Sequence, residues 1–140
     1  GLILDLLALK KDSAAIDEGR WIGADEVPGL GDVRAKMRGL TTQAARDMFS
    51  AKHRRVDPRD RIDGNIKADV AAQIMREVLS ELLIVEIEGF TMGGKAIETA
   101  KVRDLVLETD FDPLCDLLVQ AAQAVDRTRA ARQEEVAKNS

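Results

Sequence analysis

Asn65-Ile66-Lys67-Ala68-Asp69-Val70-Ala71-Ala72-Gln73-Ile74-Met75-Arg76-Glu77-Val78-Leu79-Ser80-Glu81-Leu82 places Ile66, Val70, Ile74, Val78 and Leu82 four residues apart, with Ala71, Met75 and Leu79 beside them. A four-residue recurrence is the spacing of one face of an α-helix, and no other stripe in the chain is as regular. The stripe runs into Leu83-Ile84-Val85-Glu86-Ile87-Glu88 ahead of Gly89. That segment either extends the helix or switches to a short strand.

On the N-terminal side of the stripe, Thr41 or Thr42 is placed to cap a helix carrying Ala45, Met48 and Phe49. This helix ends near Val56-Asp57-Pro58, because the residue before proline avoids the α region. Asp57 to Gly64 then reads as a polar loop. Further upstream, Val33, Ala35 and Met37 alternate with Arg34, Lys36 and Arg38, the period of a half-buried strand. Pro28-Gly29 and Gly31-Asp32 supply turns before it. Residues 20–38 are expected to form a small hairpin with one basic face.

On the C-terminal side, Thr99 is expected to cap a short helix with Val102, Leu105 and Val106 inside. Asp112 as N-cap and Pro113 at the first helical position open a last core helix with Leu114, Leu117, Leu118, Ala121 and Val125 buried. The expected class is α+β, mostly α, with a small N-terminal β-hairpin packed on about four helices. Residues 1–18 read as an arm, in which Leu2, Leu6, Leu7 and Leu9 form one helical turn or two. Residues 19–126 read as a single globular domain. Residues 127–140, where Val136 is the one large apolar residue, read as a frayed or disordered tail.

The 140 residues fit one domain, which typically takes about 100–200. At 45% hydrophobic and 33% charged, the chain is neither collagenous, disulfide-rich nor wholly disordered. A net charge of -4 gives no global attraction for a polyanion, and 3% aromatics argues against a base-stacking surface. The lone Cys115 forms no internal disulfide and suits a reducing compartment. The run Leu2-Ile3-Leu4 is interrupted by Asp5, too soon to span a bilayer, and no signal-peptide pattern is present. A first residue of Gly1 instead of Met is expected to mark processing, trimming or a tag.

The chemistry-bearing patterns are few. Gly89-Phe90-Thr91-Met92-Gly93-Gly94-Lys95-Ala96 has the glycine and lysine spacing of a phosphate-cradling loop, but Ala96 stands where the magnesium-binding hydroxyl is needed. The glycines read instead as a turn. Asp57, Asp60 and Asp63 before Gly64 faintly resemble a calcium loop, yet Arg59 and Arg61 fall on the first and third ligand positions and repel a cation. No metal ligands and no cofactor are expected. Lys52-His53-Arg54-Arg55, continued by Arg59 and Arg61, is the one nucleic-acid candidate, read more simply as a solvated helix end favoured by the helix dipole. His53 reads as a surface residue, and Cys115 as core. Glu86 with Glu88 and Asp110 with Asp112 read as exposed or capping carboxylates. No catalytic set converges, so a non-enzymatic role is expected.

Beyond these patterns, Glu18-Gly19-Arg20-Trp21-Ile22, the strand Val33-Arg34-Ala35-Lys36-Met37-Arg38-Gly39-Leu40, the long helix into Leu83-Ile84-Val85, Ile87-Glu88-Gly89-Phe90, the Gly94-Lys95 turn, and Asp110-Phe111 before the last helix follow one another in order. This arrangement, over about residues 18–125, resembles the tail assembly chaperones of long-tailed bacteriophages and prophages. Ile87 and Ala96 depart from it, since such sequences often carry Trp and Pro there. The resemblance implies a helper in the host bacterial cytoplasm. It would coat apolar helices of the tape measure protein and help recruit tail tube subunits, with self-association into a homo-oligomer. Trp21, Val33, Met37, Phe90, Leu117 and Leu118 are the expected partner-binding residues. The resemblance also implies a frameshifted longer product, with which the codons of Lys138-Asn139 are compatible. Two competing readings are a structural virion protein of the tail or head–tail joint, and a nucleic-acid-binding regulator using Arg54, Arg55, Arg59 and Arg61.

Overall fold

The computed structural model describes residues 3–140. Its elements follow the chain as α1 (Ser13–Glu18), β1 (Arg20–Ile22), β2 (Arg34–Met37), α2 (Gln43–Arg54), β3 (Arg61–Ile62), β4 (Asn65–Ile66), α3 (Ala68–Val78), β5 (Ile84–Glu88), β6 (Thr91–Met92), β7 (Lys95–Ala96), α4 (Thr99–Leu105), α5 (Asp112–Val125) and α6 (Arg129–Asn139). The class is α+β, mostly α. The N-terminal pairing is larger than a hairpin: β5 joins it, giving a three-stranded antiparallel sheet in the order β1-β2-β5.

The ambiguous apolar segment after α3 resolves into both of its options. Residues Leu79–Leu83 form one widened π turn, and the chain then turns into β5. The turn's carbonyls are claimed from the sheet, with Arg38 donating its backbone N–H to the Leu83 carbonyl at 2.8 Å and its guanidinium to that of Leu82 at 2.8 Å. A π turn of this kind marks a local departure from helical spacing, and here it delivers Leu79 and Leu83 into the core. In β5 the two buried isoleucines, Ile84 and Ile87, are three apart, which strict alternation would put on opposite faces. A register shift between Lys36 and Met37 absorbs the odd residue, so Met37 faces Ile84 and Ala35 faces Ile87.

The inner face of the sheet (Ile22, Ala35, Met37, Ile84) packs against Val78, Leu79, Leu83, Val102, Val106, Leu118 and Val125 in one core. On the outer face Lys36 stands opposite Glu86 and Arg34 opposite Glu88. The expected basic face is therefore corrected to one of alternating sign, because β5 supplies the opposing carboxylates. The outer edge of β5 is closed by α4: Ile87 N–H donates to Thr99 Oγ1 at 3.0 Å, and Arg103 donates to the carbonyls of Ile84 and Val85 at 3.0 and 3.1 Å. Thr99 therefore guards a strand edge and does not cap its own helix.

Two further expectations are corrected. Asp112 is already the first helical residue of α5, its carboxylate drawn to Arg76 at 2.6 Å, and Phe111 holds the cap position without a side-chain bond. The loop expected over Asp57–Gly64 contains a 3-10 turn and half of a tight β3–β4 hairpin, turned by Asp63 and Gly64 at φ 52° and 82°. Such Asp-Gly turns favour hairpins, and this one delays α3 to Ala68. Thr42 caps α2 as expected, accepting from Ala45 N–H at 3.0 Å.

Candidate partner-binding surfaces

The N-terminal arm is unlike the rest of the molecule. Asp5 accepts from Leu7 N–H at 3.0 Å and opens a 3-10 turn over Leu6–Leu9 that buries none of its residues. Ile3 is 100% exposed, Leu6 78%, Leu7 65% and Leu4 60%, with Leu9 also open. Leu2 lies outside the described residues. Asp12 then caps α1, accepting from Ala15 N–H at 3.2 Å, and Ile16 anchors that helix in the core. Isolated exposed leucines are ordinary on a folded domain, but five large apolar residues exposed between Ile3 and Leu9 have the composition of an interaction surface.

The arm rests beside α6, which Thr128 caps by accepting from Ala131 N–H at 3.2 Å. Polar contacts tie α6 to the domain. Glu26, a carboxylate only 4% exposed, is held by Arg20 at 2.6 and 3.1 Å, with Arg127 and Arg132 each 4.0 Å away. Arg127 also donates to the Glu26 carbonyl at 3.2 Å, and Asn139 to the Asp25 carbonyl at 3.1 Å.

A second apolar feature is a recess of about 210 Å³ lined by Phe90, Met92, Ile97, Phe111 and Leu114. The β6–β7 hairpin forms one wall, turned by Gly93 and Gly94 at φ 59° and 82°. The glycine-rich segment is thus a hairpin turn. Gly89 precedes it because the backbone of Asp32 and Val33 passes 3.1 Å from where its Cβ would stand. A third feature is an open groove of about 640 Å³ between α3 and α5, carrying the Arg76–Asp112 pair and Cys115. Burial pushes the Cys115 thiol upward in pKa, against the pull of Arg76.

The expected partner-binding residues divide. Phe90 lines the apolar recess and Leu117 is half-buried against Gly29. Trp21 is half-buried on the outer sheet face, with the Arg34 guanidinium 5.5 Å from its ring centroid. Val33, Met37 and Leu118 are core residues, Met37 and Leu118 at 0% exposure, and so offer no surface to a partner in this fold. The alternating stripes that mark them show which face is apolar, not whether another element covers it. The arm leucines, expected to form a helical turn or two, lie in a 3-10 turn that leaves Leu6, Leu7 and Leu9 exposed.

The basic segment is largely spent internally. Lys52 binds Glu77 and Glu81 at 3.0 and 2.6 Å, chiefly through the Glu81 hydrogen bond, which raises its pKa. Arg59 folds onto Asp57 at 3.0 Å and holds that carboxyl below the usual range. Arg61 donates to the His53 carbonyl at 2.6 Å. Arg54 and Arg55 are exposed. Among the described residues no group of three or more His, Cys, Asp or Glu is placed to hold a metal ion, and no helix is long and apolar enough to cross a membrane. Set against models of protein families, curated proteins and solved structures, the chain finds no significant match.

Proposed function

We propose that this chain is a non-enzymatic tail assembly chaperone, shielding apolar helices of a tape measure protein in the bacterial cytoplasm and helping recruit tail tube subunits. The observation that carries this reading is the arm Ile3–Leu9, which holds large apolar side chains in water beside a polar helix. A protein that shields another's apolar helices needs such a surface, because the helix-in-groove mode matches stripe to groove. The resemblance over residues 18–125 supplies the identity of the partner.

Co-expression with the tape measure protein of the same tail operon tests the reading. A soluble complex is expected, lost on Leu6→Ser/Leu7→Ser, and deletion of the gene should abolish tails. Tails of normal length and number after deletion would sink the proposal. So would recovery of the chain in many copies per purified virion, which would favour a structural subunit.

A further inference from the structure

The arm and α6 do more than lie side by side. Two open recesses, about 690 and 480 Å³, flank them, and Arg132 lines both. Leu7 contributes apolar surface from the arm, and Val136 and Ala137 from α6; Lys10 and Lys11 join Arg132 as the cations. Asp12 also lines the first recess, so Lys10, Lys11 and Arg132 stand there against one carboxylate. Asp5 and Asp12 accept from the backbone N–H groups of Leu7 and Ala15, and Glu26, held closely by Arg20, lies 4.0 Å from Arg132. Glu134 and Glu135 line neither recess. Lys10 and Lys11 are both exposed, and Lys11 donates to Thr41 Oγ1 at a long 3.5 Å. A chain of net charge -4 thus keeps a locally cationic, leucine-bearing trough.

We propose that this trough takes an amphipathic helix of a protein partner whose apolar stripe is bordered by carboxylates. The apolar side chains would bury the stripe, and Lys10, Lys11 and Arg132 would meet the flanking acids. The inference names the chemistry of the partner assigned above and rests on that assignment. An anionic membrane is the other surface that leucines and lysines fit. The overall negative charge opposes it, and a concave trough suits a rod better than a plane.

The test uses the full chain and two fluorescent helical peptides of about 20 residues, long enough to span roughly 30 Å. They share one apolar stripe, flanked by Glu in one and by Lys in the other. In dilute salt the Glu-flanked peptide should bind about tenfold tighter, and the preference should shrink at ~500 mM salt, where exposed pairs are screened. Lys10→Glu/Lys11→Glu should cancel or reverse the preference. Leu6→Ser/Leu7→Ser should weaken both peptides, with the circular dichroism spectrum unchanged. Equal affinities, a preference that survives the lysine reversal, or binding to phosphatidylserine vesicles in place of either peptide would overturn the inference. A tape measure complex formed while neither peptide binds would overturn it too, yet leave the chaperone reading standing. Binding of the Glu-flanked peptide without any tape measure complex would do the opposite.

Discussion

Arg20 grips Glu26 across the turn that follows β1, its guanidinium meeting both carboxylate oxygens at 2.6 and 3.1 Å while also donating to the Ala124 carbonyl at 2.6 Å. One side chain thereby joins the first strand, its turn and the C-terminal end of α5. Removing one member of a buried pair strands the other charge, which costs about 3 kcal/mol or more. Glu26→Ala should lower stability by that order in urea unfolding, and should also loosen α6, read as faster amide exchange over residues 129–139.

Gly39 sits where the chain passes under α5. A Cβ there would collide with the Asp126 carboxylate and with Ile16, and that carboxylate accepts from Leu40 N–H at 2.8 Å and Thr41 Oγ1 at 2.7 Å. Gly39→Ala should cost roughly 2 kcal/mol through overpacking, and Asp126→Ala about 1–3 kcal/mol through lost hydrogen bonds. The double variant should lose less than the sum, because removing the carboxylate makes room for the methyl group. Strict additivity would place the two effects elsewhere.

Stability should decline in alkali. The pKa of Lys52 is raised above its ordinary 10.5 by Glu81 and Glu77, and that of Cys115 above 9.0 by burial. In each case the folded chain holds the proton more tightly than the unfolded chain. The contribution is therefore complete below the ordinary value and is lost as pH climbs through the folded one. Lys52→Gln should cost about 0.5–1 kcal/mol at neutral pH, with the gap to the parent closing once the solution passes pH 10.5. Native Cys115 should resist iodoacetamide at pH 8 and react on unfolding, read by mass spectrometry.

The apolar residues should separate into two classes. Leu118→Ala should destabilise by about 3 kcal/mol, since its side chain fills the core. Leu6→Ser should change stability by less than ~0.5 kcal/mol, because the side chain is already in water. A large loss from Leu6→Ser would mean that the arm packs onto the domain.

Much of the scaffold was legible from local patterns. The alternation at Val33–Met37, the four-residue stripe through Ile74 and Val78, and the Thr42 cap each state a preference that neighbouring residues satisfy within one or two turns of chain. Asp63-Gly64 is equally local, and its turn chemistry marks the β3–β4 hairpin within a stretch whose polar residues read as loop. The partner surface was much less legible. Met37 and Leu118 carry the apolar pattern of an interaction face, but so does every core residue.

Sequence alone determined the class of the molecule and the faces of its main helices and strands, because periodicity is written in neighbouring residues. Tertiary structure decided what covers each face. Whether β5 joins β2 and sets Glu88 and Glu86 opposite Arg34 and Lys36, whether Arg76 draws Asp112 away from capping, and whether the arm leucines stay in water beside α6 all depend on residues distant in sequence. Burial is a property of three-dimensional neighbours, and no local repeat encodes which neighbour arrives.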